Sequence, residues 1–586
     1  MPHFPSLRGQ LTEQDSIESF GGYDHRLRIA DGRWYDTRNL TSDFAPMLSS
    51  RAARGYTHRR ATALLEKDAL AYVSPEGTLY YNFRPTGVTG LSGGEKQLVG
   101  MGAYLLIFPD KIYFNTADGS DWGSMEAHYR PQSAVYEMCR FDGTAVEADW
   151  VQSEEPAAPE NAAWWIDTSG ETQVLRQWSE AVGEWVSVES VYIRITFPTM
   201  GTVPRLFHAG DGVRIGGASP EGVNGEKLIA ALGGGENEQD WILIAGLLAQ
   251  RAEDGAITVD REVPEMDFVC ECQNRLWGCR YGLDENGEAV NEILCCALGD
   301  FRNWRQFAGL STDSWVGSVG SDGQWTGAVS YLGYPTFFKE NRIHRVSVSA
   351  EGAHAISETV CRGVQKGSAK SLVVVNETLY YLSRSDVCAY QGSFPAGVSA
   401  ELGGESFHGG VAGSAGGKYY LSVLRSDGGA ALFVYDIGRA LWLREDETRV
   451  TDFARVDDEL YAVADGEIVT MRGSLPLADS SAEEEIEWMA ESGLLSFHLP
   501  ENKRVSRYNL RLGLGPGARL RVEVEYDSDG VWRSAGEIAA AQGGCGSYLF
   551  PVRPHRCDHL RLRLSGSGEM KLYSIARVLE IGSDYR

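Results

Sequence analysis

Tyr380-Tyr381-Leu382, a polar turn, then Val387-Cys388-Ala389-Tyr390 reads as two short aromatic strands joined tightly. The same unit returns as Tyr419-Tyr420-Leu421 before Leu432-Phe433-Val434-Tyr435. It returns again as Leu460-Tyr461-Ala462-Val463, the turn Asp465-Gly466, and Glu467-Ile468-Val469. Matching strands begin near Thr336, Leu379, Tyr419 and Leu460. Their spacing is about 40 residues, the length of one four-stranded propeller blade. Residues 265–472 are therefore expected to be propeller blades. Such blades bury both sheet faces, so apolar strands need not alternate cleanly.

Composition agrees with an all-β chain of several domains. Among 586 residues, 68 are Gly and 10% are aromatic, which suits many short strands and turns. Helical patterning is confined to short candidates at Ser50–Arg54, Ala61–Lys67 and Asp240–Arg251. The net charge of −27 argues against a general phosphate-binding surface, which needs clustered Lys and Arg. DNA sliding past an acidic ring lumen stays compatible with it. The apolar run from Trp241 to Ala249 is too short to span a bilayer, so no stable membrane insertion is expected. Met1-Pro2-His3-Phe4-Pro5 has no basic stretch leading into an apolar core, so no signal peptide is read. With that start, ten Cys suggest free thiols in a reducing cytoplasm.

Along the chain, residues 1–60 read as a polar N-terminal arm. It carries a basic island of Arg51, Arg54, Arg59 and Arg60 in an acidic protein. Residues 61–123 hold hairpins such as Leu70-Ala71-Tyr72-Val73 with Leu79-Tyr80-Tyr81, the first propeller blades. Residues 124–264 break the pattern with Glu154-Glu155-Pro156 and the long strand Ser190 to Phe197. They are expected to form an inserted small β-barrel or sandwich domain that leaves the propeller after one blade and returns to the next. A linker at 473–485 precedes residues 486–586. There, Leu520-Arg521-Val522-Glu523-Val524 and Leu560-Arg561-Leu562-Arg563-Leu564 alternate strictly. Alternation means sheets with one wet face, hence a jelly-roll-like C-terminal β-sandwich.

Motifs that would carry chemistry fall short of their templates. Cys270, Cys272, Cys279, Cys295 and Cys296 lack the paired-knuckle spacing of a zinc site and read as buried strand thiols. Asp527-Ser528-Asp529-Gly530 opens like a calcium loop but lacks the later ligands, so it reads as a hairpin turn. Ser321-Asp322-Gly323-Gln324-Trp325 comes near an Asp-box turn and misses its spacing. Leu91-Ser92-Gly93-Gly94-Glu95-Lys96-Gln97 is a strand-linking loop without a phosphate-loop partner. No catalytic, cofactor-binding or metal-binding residue is assigned, no cofactor is expected, and the chain reads as not an enzyme.

Two stretches resemble proteins of tailed-phage tails. Asn274-Arg275-Leu276-Trp277 followed by Gly299-Asp300-Phe301-Arg302-Asn303-Trp304 is similar to a strand pair in β-propeller hub and nozzle-like tail proteins, with Cys296 in place of their usual Ser. Asn39-Leu40-Thr41, Pro46, Arg51 and Gly55 resemble the arm that opens many such proteins. The resemblance implies a structural ring subunit of a double-stranded DNA phage tail that lines or closes the DNA exit channel. It would be assembled in the bacterial cytoplasm and reside in the virion tail. Its implied partners are copies of itself in a homo-oligomeric ring, other tail or adaptor proteins, and transiently the genomic DNA. Arg51, Arg54, Arg59 and Arg60 are then expected at the subunit interface. The alternative is a receptor- or glycan-binding tail protein using Trp488, Tyr526 and Trp532 of the sandwich. The third reading is a propeller glycoside hydrolase.

Overall fold

Tyr-Tyr-Leu strands bury completely when both faces of a sheet are covered, and all five residues of Thr378–Leu382 are buried. In the computed structural model, which describes residues 11–284, 287–349, 352–499 and 502–581, this pattern builds a seven-bladed propeller. The innermost strands are Ala63–Lys67, Gln97–Met101, Phe268–Glu271, Gly327–Tyr331, Val373–Val375, Phe407–Ala415 and Val450–Val456. Each starts a four-stranded antiparallel blade, and neighbouring blades touch around a closed ring. Numbered in that order, blade seven takes only three strands from residues 450–470. Its fourth strand is Gly55–Arg60, which pairs with Glu467–Thr470 and closes the ring across about four hundred residues of sequence.

The N-terminal segment is therefore not an arm among its described residues; residues 1–10 lie outside them. Leu11–Ile17, Leu40–Thr41 and Leu48–Ser50 join one sheet of the C-terminal sandwich, and Trp34–Arg38 joins the other. Short polar strands look irregular in sequence because their partners lie hundreds of residues away. Two of the helical candidates are also strands: Ala63–Lys67 and Glu238–Ala245. Tertiary pairing overrides local propensity at both. The one α-helix among the described residues is Val203–Leu206.

The sandwich alternates as its pattern demands. Along Lys503–Leu514, Val505, Tyr508, Leu510, Leu512 and Leu514 face a core that also takes Trp34, Leu48, Trp488 and Leu562. It docks on the outer edge of blade six, where Tyr23 bridges to Trp442 and Thr37 bonds the Arg444 carbonyl.

Between blades two and three the chain leaves the propeller. Ala127–Tyr129 pairs with Thr258–Arg261, so the outgoing and returning segments lie side by side. The insert is an eight-stranded sheet packed around Tyr136, Ile193, Ile195, Ile229 and Ile242. A separate four-stranded sheet spans Trp150–Gln152, Trp164–Asp167, Val174–Ser179 and Glu184–Ser187, and sends Ile166 and Leu175 into that core.

Candidate functional site

The basic island does not reach out to a neighbour as a unit. Arg51 is buried and grips Glu483 through both terminal nitrogens, at 2.6 and 2.9 Å, while its Nε donates to Asn39 Oδ1 at 2.8 Å. Arg54, also buried, holds Glu445 at 2.7 Å and Asp446 at 2.8 Å. Burial pushes the Glu483 and Asp446 carboxyls up, but the guanidiniums of Arg51 and Arg54 outweigh it and hold both below the usual range. These two arginines lock the sandwich, the 473–485 linker and blades six and seven of their own chain, so the expected subunit-interface role is corrected for them. Arg59 meets Asp479 at 3.0 Å in an exposed pair, and Arg60 is exposed on the outer edge of blade seven.

The residues that carry the tail-protein resemblance sit at this clamp and at one other. Asn39, with a left-handed φ of 52°, donates to the Glu487 carbonyl in the sandwich. Thr41 accepts from Lys418 of blade six at 2.9 Å. At Gly55 an added Cβ would sit 2.4 Å from the Ser474 carbonyl oxygen, so no larger residue fits. The second clamp seats the insert. Arg275 is buried and donates to the carbonyls of Cys296, Asp313 and Ser311, fixing the long loop of blade three. At the end of that loop, Asn303 accepts from the Gly212 N–H at 3.0 Å and donates to the Gly210 carbonyl at 2.7 Å. Arg305 pairs with Glu226 and Glu262 of the insert. Cys296, where the resemblance expects Ser, accepts from the Leu276 N–H through Sγ at 3.1 Å.

A third cluster occupies one mouth of the propeller. Lys370, just before the inner strand of blade five, reaches Asp452 of blade seven at 3.1 Å and Glu95 of blade two at 3.5 Å. Asp452 is deeply enclosed and also accepts from the Leu64 and Phe453 N–H groups. Burial raises its carboxyl above the ordinary value, with the Lys370 charge opposing. Glu95 is largely exposed. The arrangement thus sets a carboxyl with a raised pKa and a solvated carboxylate beside one ammonium. Sequence reading missed this set because Lys370, Asp452 and Glu95 come from three blades, and 81 acidic residues hide any pair.

The remaining candidates resolve into structural parts. Around Ser321-Asp322-Gly323, the buried Lys339 donates to the Ser321 carbonyl and Asn291 Oδ1 and lies 4.5 Å from the Trp325 ring centre. His344 Nε2 lies 2.9 Å from Ser321 Oγ and 3.0 Å from Glu358. Both partners share one ring nitrogen, so the group lacks the relay of a nucleophilic triad, in which the acid orients the opposite nitrogen. Trp488 and Tyr526 are buried in the sandwich core, which removes them as glycan contacts, and Trp532 lies under Arg563 at 3.7 Å. Asp527 accepts from the Asp558 and His559 N–H groups, and Asp529 pairs with Arg533. The five clustered Cys are buried, and burial raises each thiol.

Neither a protein-family model nor a curated protein matches the chain. Solved structures do match. An exo-β-1,3-galactanase from Phanerochaete chrysosporium is 10% identical, covering 53% of this chain and 94% of that one, with a TM-score of 0.23. A family 43 arabinoxylan arabinofuranohydrolase from Bacillus subtilis is 9% identical, with the same coverages and a TM-score of 0.16. An engineered family 43 glycoside hydrolase is 10% identical, covering 53% and 97%, at 0.22. The expectation that the chain is not an enzyme is withdrawn on this finding, since the matched structures are carbohydrate-cleaving enzymes. Which groups could act, and on what, rests on the residues of this chain alone.

Proposed function

We propose that the chain is a rigid structural subunit of a phage-type tail, a hub- or nozzle-like component of a ring at the DNA exit channel. One observation carries this reading: both stretches that resemble tail proteins are interdomain clamps. Asn39, Thr41, Arg51 and Gly55 tie the sandwich to the propeller, and Arg275 and Asn303 seat the insert. A part that bears load between neighbours needs its modules fixed to one another. The subunit would assemble with its own copies and with tail or adaptor proteins, and touch DNA in passing. Arg60, which is exposed, stays available as a contact, and Arg59 is half-buried and paired with Asp479. The test is cryo-electron microscopy of the chain co-expressed with the products of its neighbouring genes. A closed ring with the propeller as spoke supports the reading, and isolated particles in every mixture overturn it.

A second reading is favoured by the mouth geometry. With Asp452 as acid and Glu95 as base, the propeller would be a glycoside hydrolase whose Lys370 holds the pair in place. A screen against neutral and acidic oligosaccharides tests it. Turnover that disappears in both Asp452→Asn and Glu95→Gln, with unfolding unchanged, supports this reading; absence of turnover in the native chain removes it.

A further inference from the structure

The small sheet of the insert has two unlike faces. Strand register places Trp150 opposite Trp165, Trp165 opposite Arg176, and Trp178 opposite Trp185. Directly paired residues share a face, and so do residues two apart on one strand. Trp150, Trp165, Arg176, Trp178 and Trp185 therefore stand together, while Trp164, Ile166 and Leu175 point to the insert core. The four indoles on the outer face pack edge to face, with ring centres 5.4 to 6.0 Å apart around Trp185. Trp165 is buried, and Trp150, Trp178 and Trp185 are half-buried. The Trp185 Nε1 has no acceptor.

Charge is as one-sided as the rings. Residues 141–190 hold eleven Asp and Glu and a single basic residue, Arg176, which pairs with Asp167 at 2.9 Å. Glu154, Glu155, Glu160, Glu171, Glu180, Glu184 and Glu189 are all exposed. An aromatic face inside a carboxylate rim suits a guanidinium, which takes both a salt bridge and an aromatic ring.

The matching surface lies on the same chain. Residues 502–581 hold thirteen Lys and Arg against eight Asp and Glu, the reverse of the whole protein. On the outer side of the strand Lys503–Leu514, Arg507 and Arg511 are exposed and in no ion pair among the described residues, beside the exposed Leu549. Arg553 and Arg556, near the same sheet, are exposed and likewise in no ion pair among the described residues. A chain cannot satisfy its own pair of faces. The insert leaves between blades two and three, and the sandwich sits on blade six; around a seven-blade ring these positions are diametrically opposed.

We propose that the acidic tryptophan face of the insert binds the arginine face of the sandwich on a second copy of this chain. Different patches on opposite sides make a head-to-tail contact, the kind that closes rings. The proposal rests on the ring-subunit reading and names its interface.

The test uses the full-length chain in mass photometry and analytical ultracentrifugation, at low and high salt. Glu180→Lys with Glu184→Lys, or Arg507→Glu with Arg511→Glu, weakens self-association about tenfold or more at low salt. Mixing the two charge-reversed proteins restores a heterotypic contact that neither makes alone. These sites are exposed, so circular dichroism and unfolding midpoints stay native. Discrete multimers that ignore both reversals overturn this interface and leave the ring reading standing. A chain that stays monomeric at every concentration and salt, with and without neighbouring gene products, overturns both.

Discussion

The clamp and the propeller mouth both set cations against carboxylates and behave differently. At the clamp, two buried guanidiniums face three carboxylates from two domains, and every partner is enclosed or nearly so. At the mouth, one ammonium stands between an enclosed carboxyl and a solvated one. Planar guanidinium forks suit fixed bidentate geometry, whereas an ammonium is a point charge that tolerates rearrangement. The clamp is thus a fastening, and the mouth is a place where charge can move.

The largest effect expected is at the clamp. Arg54→Ala leaves Glu445 and Asp446 with the longer contacts to Arg51, at 3.9 Å each, and lowers stability by about 3–5 kcal/mol. Urea unfolding reads the loss, and limited proteolysis near residues 473–485 reads release of the sandwich. A loss no larger than that of an exposed control such as Arg60→Ala erases the contrast. Next is Asn303→Ala, which removes two hydrogen bonds at the insert seat and costs about 1–3 kcal/mol. Hydrogen exchange should rise around Gly210 and Gly212, with the C-terminal sandwich unchanged.

Acid sharpens the comparison because the two sites have opposite signs. Glu483 and Asp446 are held low, so their contribution is present above their unfolded values and lost as pH falls through the folded ones. Asp452 is raised, so its contribution is present below its unfolded value and lost as pH climbs through the folded one. Lowering pH from neutrality therefore loosens the sandwich before the inner strands, as hydrogen exchange at a series of pH values would record. Simultaneous loosening of both regions contradicts the assignment. The smallest effect is Glu95→Gln, which removes the exposed partner of Lys370 and costs about 0.5 kcal/mol or less.

What was legible in the sequence follows from how local each signal is. Blade strands such as Thr378–Leu382 declare themselves because their pairing partners are a turn away. The sandwich strand Lys503–Leu514 is equally plain, since alternation is written within it. Gly55–Arg60 was not legible, because its partner Glu467–Thr470 is distant and its own residues are polar. Arg51 and Arg54 looked like surface charge for the same reason: their carboxylates arrive from residues 445–483. The mouth needed three blades to assemble before Lys370 had partners. The tryptophan face was within reach, since Trp165, Trp178 and Trp185 lie on adjacent short strands, but its orientation depended on register.

The proposed assembly of a rigid subunit with its own kind is tested most directly by mass photometry of the native chain across salt. The expected result is a discrete closed multimer at low salt that falls apart toward monomers as salt screens the contact. A single monomeric species at every salt and concentration would contradict it.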